Sequence, residues 1–357
     1  MKLFKCQSCG QVLFFENRLC GRCGHRLGFL PTLGDLSALE HGRGGDWHPL
    51  AAALGSAWRF CANAEHDVCN WMVPAGSADR FCKACRHNRT VPDLSVPGNL
   101  AAWHKMEEAK HRLFYTLLRL HLPTPNRIDD SEHGLVFDFL ADPATPDGAK
   151  VMTGHDEGLI TLAVAEADDP QREARRTAMG EPYRTLLGHF RHEIGHFYWN
   201  LLVRDAGQLE ACRAVFGDDR EDYGDALKRH YAQGAPANWQ DSYVSMYATT
   251  HAWEDFAETW AHYLHIVDSL ETASAFGLEV HPAIDPDEVL HAESKVDPYQ
   301  EERFERLAEV WMPLTIALNA MNRSMGLGDL YPFVLSPTVI RKLSFIHDLV
   351  HARAKAS

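Results

Sequence analysis

The pentapeptide His192-Glu193-Ile194-Gly195-His196 constrains this chain more than any other stretch. Residues four apart on a helix share a face, so His192 and His196 can aim two imidazoles at one zinc ion. Glu193 is rotated off that axis. It can reach a zinc-bound water without competing for the metal, which is the geometry a general base needs. A chain with 21 histidines also produces such a pentapeptide by chance, and it then marks only a surface helix with two solvated imidazoles. A third ligand separates the two readings.

Three patterns could supply it. A metzincin places Gly and a third His at fixed offsets after the second His, but Phe197-Tyr198-Trp199-Asn200-Leu201-Leu202 follows here. The aspartate-ligand pattern GTxDxxYG matches at Gly217, Tyr223 and Gly224, yet Arg220 stands where the ligand belongs. The third pattern lies further on. From Ala252 the sequence reads as a helix, with Trp253, Phe256, Ala257, Trp260, Ala261 and Leu264 on one apolar side. Glu254 and Glu258 sit four apart on a neighbouring face, where like charges repel. A zinc-bound Glu254 and a Glu258 that holds a ligand histidine by its other ring nitrogen account for the pair. His262 and His265 are the competing ligands; as ordinary polar residues they would line the helix's wet side.

The start of the chain carries a different chemistry. Cys6-x2-Cys9 and Cys20-x2-Cys23 form two knuckles that close one four-cysteine site, with Gly10 and Gly24 turning the chain after each pair. Zinc suits it, and tetrahedral sulfur also accepts iron, as in rubredoxins. Cys61, Cys69, Cys82 and Cys85 make a second set with one good knuckle and one loose pair. A second structural zinc is expected there, with a redox CxxC as the alternative. Cys212 is left as a lone buried thiol. The expected metal content is one catalytic and two structural zinc ions.

Of the 357 residues 45% are hydrophobic and 24% charged, the balance of a globular protein with a real core. No apolar run approaches a membrane span, and Met1-Lys2-Leu3-Phe4-Lys5-Cys6 offers no signal-peptide apolar region, so a cytoplasmic protein with reduced thiols and no membrane partner is expected. Residues 1–95 carry eleven Lys/Arg against eight Asp/Glu, or +3, which leaves −17 of the net −14 to the remainder. Two zinc tetrathiolate clusters at −2 each turn +3 into −1. No basic footprint survives, and no nucleic-acid partner is expected.

The chain divides on this reading into a zinc ribbon (1–28), a Gly-rich linker or wrapping arm broken by Pro31 and Pro49 (29–60), a second four-cysteine module (61–95) and a catalytic domain (96–357). A long helix runs through residue 122, with Trp103, Met106, Ala109, Leu113, Leu117 and Leu120 on its buried side. Strands are expected at 134–140 and 159–165. In zinc peptidases a strand beside the active-site helix pairs with an extended substrate, and Leu159, Ile160, Thr161 and Leu162 are the candidates. The HExxH helix should begin near Glu181-Pro182. Helices should then cover 209–216, 222–231, 239–270, 300–322 and 336–354.

HExxH followed by Glu254, with an acidic residue four further on, resembles the gluzincin class of zinc peptidases, to which thermolysin belongs. The cysteine-rich start, Gly158-Leu159-Ile160-Thr161, the run from Glu181 to Glu193 and Glu254-Asp255-Phe256-Ala257-Glu258-Thr259 resemble more closely a bacterial family of zinc-ribbon metallopeptidases, from about Phe4 to the C-terminal helix. The resemblance implies an α+β, mainly helical, zincin-like domain behind zinc-ribbon modules, acting on a peptide or protein substrate. In lethal-factor-like gluzincins a tyrosine seven residues before the ligand glutamate steadies the oxyanion. Tyr247 has that offset, though it also reads as a core tyrosine, and Tyr243 one turn earlier could serve instead. Two functions remain: a zinc-dependent peptidase, or a non-catalytic adaptor with a structural or vestigial HExxH site. Glu193 favours the first, because a structural zinc has no need of that carboxylate.

Overall fold

The computed structural model describes residues 1–42, 44–142, 150–179, 184–285 and 287–354. They form two compact units, Met1–Arg175 and Arg176–Ser357.

In the first unit, β1 (Phe4–Lys5) and β2 (Val12–Leu13) make the hairpin of the first cysteine module. There follow β3 (Leu27–Leu30), β4 (Asp35–His41), β5 (Trp47–Pro49), β6 (Trp58–Phe60) and β7 (Met72–Pro74), an antiparallel sheet whose spatial order follows the sequence. Residues 29–60 are therefore not a linker. Leu30, Leu39, Trp58 and Met72 pack into a small core of their own, and Gly34, Gly45 and Gly55 take positive φ between the strands. The linker-like composition belonged to tight turns.

After β8 (Asn88–Thr90) comes α1 (Asn99–Arg119), then β9 (Val136–Leu140), β10 (Gly154–Asp156) and β11 (Leu159–Ala163). The six apolar residues expected on the inner side of the long helix are all buried. Tyr115 of α1 meets Phe15 and Phe29, and Phe29 lies against Trp71 with ring centroids 4.7 Å apart. Apolar packing thus joins α1 to the cysteine modules, and the expected boundary at 95/96 falls inside this unit. Strands β8 to β11 pair in the order β10-β11-β9-β8. β11 is parallel to β9, and Leu159, Ile160 and Thr161 are also paired antiparallel with Asp156, His155 and Gly154. The strand expected to pair with substrate, Leu159–Leu162, is therefore not a free edge: β9 takes one side of the whole strand and β10 covers Leu159 to Thr161 on the other.

Helix α2 (Asp169–Met179), unforeseen in the sequence, crosses the division between units. The second unit continues with α3 (Leu186–Trp199), α4 (Leu209–Phe216), α5 (Tyr223–Gln233), α6 (Ala252–Phe276), a short hairpin of β12 (Glu279–Val280) and β13 (Ala292–Glu293), α7 (Phe304–Ser324) and α8 (Pro337–Ala354). The expected start at Glu181-Pro182 lies outside the described residues. Thr185 caps α3, its hydroxyl accepting from the Gly188 amide at 3.0 Å. The continuous helix expected over 239–270 is broken. Single 3-10 turns at Trp239–Asp241 and Tyr247–Thr249 precede α6, whose N-cap is the His251 side chain accepting from Trp253 N at 3.0 Å.

Gly195 decides how α3 meets α6. A Cβ there would lie 2.9 Å from Ala257 Cα and 3.2 Å from its carbonyl oxygen. The missing side chain lets the two backbones touch. Buried Ile194, Tyr198, Phe256 and Trp260 fill the space around that contact. Among the described residues, no helix is long and apolar enough to cross a membrane.

Candidate metal centres

The close approach of α3 and α6 brings three ligand atoms to one point. His192 Nε2 lies 3.0 Å from Glu254 Oε2, His196 Nε2 lies 3.4 Å from the same oxygen, and the two nitrogens are 3.2 Å apart. A tetrahedral zinc with ligands near 2.0–2.1 Å sets such edges at about 3.3 Å. The outer atoms are committed elsewhere. His192 Nδ1 donates to Glu258 Oε1 at 2.7 Å, and Glu258 Oε2 accepts from Ser245 Oγ at 2.5 Å. A carboxylate only accepts, so Nδ1 carries the proton and the Nε2 lone pair faces the shared point. Tyr223 Oη donates to Glu254 Oε1 at 2.7 Å, which leaves Oε2 to face the imidazoles. Trp253 stacks on the His196 ring with centroids 3.6 Å apart. This donor set fits a zinc ion.

Glu193 is buried and makes no hydrogen bond to another described residue. Burial raises its carboxyl to about 7, with Glu254 and Glu258 acting in the same direction. Burial alone would lower His192, but Glu254 and Glu258 hold its imidazole well above the usual range, so proton and metal compete for one lone pair. Tyr247 lies beside His192, ring centroids 5.9 Å apart, and burial followed by the charge of Glu254 holds its phenol far above the usual range. Tyr243 instead lies under the Lys342 ammonium, 4.2 Å from the ring centre. His262 is buried, bonded through Nδ1 to Tyr331 Oη at 2.7 Å, and its ring packs on Phe333. His265 Nδ1 accepts from Arg191 Nη1 at 2.5 Å. The wet-side expectation is thus wrong for His262, because Tyr331 and Phe333, in the chain before α8, cover it.

All nine cysteines are free of disulfides. Cys6, Cys9, Cys20 and Cys23 converge, with Sγ separations of 3.7 Å for Cys6–Cys23 and 3.6 Å for Cys9–Cys20. Zinc–sulfur bonds of 2.3 Å imply edges of about 3.8 Å. Cys61, Cys69, Cys82 and Cys85 also converge, all four buried, with Cys69 and Cys82 sulfurs 3.8 Å apart. Backbone amides of Trp71, Cys82 and Cys85 donate to the sulfurs of Cys69, Cys61 and Cys82 at 3.3–3.4 Å. The loose Cys61–Cys69 pair therefore does join the knuckle. Cys212 is buried on α4, and burial pushes its thiol up to about 12.

Residues 99–349 match the family described as putative zinc-binding metallo-peptidase, and residues 3–96 match a zinc-ribbon domain. The chain belongs to this metallo-peptidase family. An uncharacterised protein of Mycobacterium bovis and two of Mycobacterium tuberculosis are each 43% identical to it over 357 residues, covering 98% of this chain and 95% of theirs. No solved structure matches the chain.

In this member of the family, His192, His196, Glu254 and Glu258 come together as the helix spacing suggested. Sequence reasoning missed Tyr223 and Ser245. Tyr223 survived only as the end of the failed aspartate pattern, and Ser245 had no signal, because its partner Glu258 is defined by how the segment before α6 turns back on it.

Proposed function

We propose that this protein is a zinc-dependent peptidase acting on peptide or protein substrates. His192, His196 and Glu254 would hold the catalytic zinc, and the two cysteine sets would hold structural zinc ions. Zinc, when bound, supplies a Lewis acid that polarises the scissile carbonyl and makes water acidic. The protein's residues do the rest. Glu193, with no hydrogen bond to another described residue, takes the proton of the attacking water and passes it to the leaving amine. Glu258 and Ser245 keep His192 in the tautomer that presents Nε2. Tyr247, kept protonated, donates to the oxyanion as it develops. The observation that carries this reading is the uncommitted Glu193 carboxylate beside three convergent donors, a set that would leave a fourth position of a tetrahedral zinc to water or substrate.

Glu193→Gln keeps size and polarity but removes the base. Zinc content and melting temperature should hold, while cleavage of an unstructured peptide mixture should fall about 10²–10⁴-fold. Equal, weak background from both proteins, each fully loaded with zinc, would defeat the reading in favour of a non-catalytic adaptor.

A further inference from the structure

The second cysteine centre has a donor that no cysteine spacing announces. His111, on α1 and 26 residues beyond Cys85, turns Nε2 toward three of the four sulfurs, 3.3 Å from Cys69, 3.7 Å from Cys85 and 3.9 Å from Cys82. A tetrahedral site with three zinc–sulfur bonds and one zinc–nitrogen bond has nitrogen–sulfur edges of about 3.6 Å, and these distances scatter around that value. The other ring nitrogen settles the tautomer. Nδ1 lies 2.6 Å from the Glu107 carbonyl oxygen, which only accepts, so Nδ1 carries the proton and Nε2 offers a lone pair to the sulfurs. That lone pair is aimed at the point the three sulfurs share, as a metal ligand's would be.

We propose that His111 is a fifth donor of this centre, sharing Cys69, Cys82 and Cys85 and alternating with Cys61 for the fourth position. Buried charge favours the histidine arrangement. Four thiolates around a divalent ion leave −2 in a site whose cysteines are all buried, whereas three thiolates and a neutral imidazole leave −1. Buried Glu107 and Lys110 neutralise each other at 2.9 Å, and Glu107 Oε1 is further held by Asn88 and Trp103. His111 also lines a small cavity with Phe15, Arg18, Val68 and Asn70. The consequence is mechanical as well as chemical: the metal fastens the second cysteine module to α1, beyond the span of the zinc-ribbon match.

The full-length chain tests this by zinc counting after dialysis against a chelator. Cys82→Ser should lose one ion. Cys61→Ser and His111→Asn should each keep the full count, and the double variant Cys61→Ser/His111→Asn should lose one. Cys61→Ala, which removes the sulfur without adding a polar atom, is measured beside Cys61→Ser. Cobalt(II) gives the independent readout: in the Cys61 variant its ligand-field bands should move to higher energy than in the wild type, because imidazole replaces a thiolate. Loss of one ion from both Cys61 variants while His111 is intact overturns the proposal. So does a double variant that retains the full count, which would mean water fills the corner.

Discussion

Cys6 and Cys23 are 17 residues apart and meet within one small hairpin module, whereas His192 and Glu258 are 66 apart and meet because two long helices touch. Phe4, Leu13 and Phe15 are buried beside the first centre, but it has little regular structure of its own. Cys9 and Cys23 are partly exposed, and strands β1 and β2 are two residues each. The second lies against buried Phe190, Ile194, Phe256 and Trp260. A local sulfur centre of this kind depends on its metal to fold. The histidine–glutamate centre is held by apolar packing and by hydrogen bonds to Glu258, Ser245 and Tyr223, so its frame precedes the ion.

The largest effect should come from the first centre. Cys9→Ser or Cys23→Ser removes one thiolate from a module whose metal supplies most of its folding free energy, about 10–16 kcal/mol in comparable structural sites. One ion should be lost, and limited proteolysis should cut within residues 1–28. An unchanged digestion pattern would erase the contrast drawn above.

At the helix centre the same loss of an ion should cost far less structure. His192→Ala and Glu254→Ala should each lower the zinc content by one ion, leave the cysteine-bound ions in place, and keep the helical circular dichroism. If Glu254→Ala keeps all its zinc while His262→Ala does not, the ligand is misassigned.

A smaller change probes the frame itself. Gly195→Ala forces a methyl into a 2.9 Å approach to the Ala257 backbone. Overpacking of this sort costs about 1–3 kcal/mol, and the separated helices should also bind zinc less tightly, although no ligand has changed. Calorimetry with and without zinc measures both. A variant as stable and as zinc-avid as the parent would show that the frame does not depend on this contact.

Much of the chemistry was legible because it is periodic or local. The i,i+4 spacing of His192 and His196, and of Glu254 and Glu258, follows from helix geometry alone, and the CxxC knuckles need only a tight turn. The errors arose where composition stood in for packing. Gly and Pro at 31–58 suggested a linker, yet the buried run Leu36-Ser37-Ala38-Leu39 had a sheet to join. Polar His262 suggested solvent, yet Tyr331 and Phe333 close over it. The helix expected through 239–270 failed because His251 caps α6, a role that aromatic and apolar periodicity does not encode.

The sequence by itself determined which side chains could serve as ligand or base and at what helical spacing, since covalent order and helix pitch need no other part of the molecule. It also determined that the cysteines come in sets of four. The tertiary structure alone decided which atoms meet. Gly195 against Ala257 sets the distance between α3 and α6, Tyr223 and Ser245 reach Glu254 and Glu258 from other segments, and α1 delivers His111 to a cysteine cluster far from it in the chain. These contacts depend on how apolar faces pack, and packing is a property of all the faces together, which no single stretch of sequence carries.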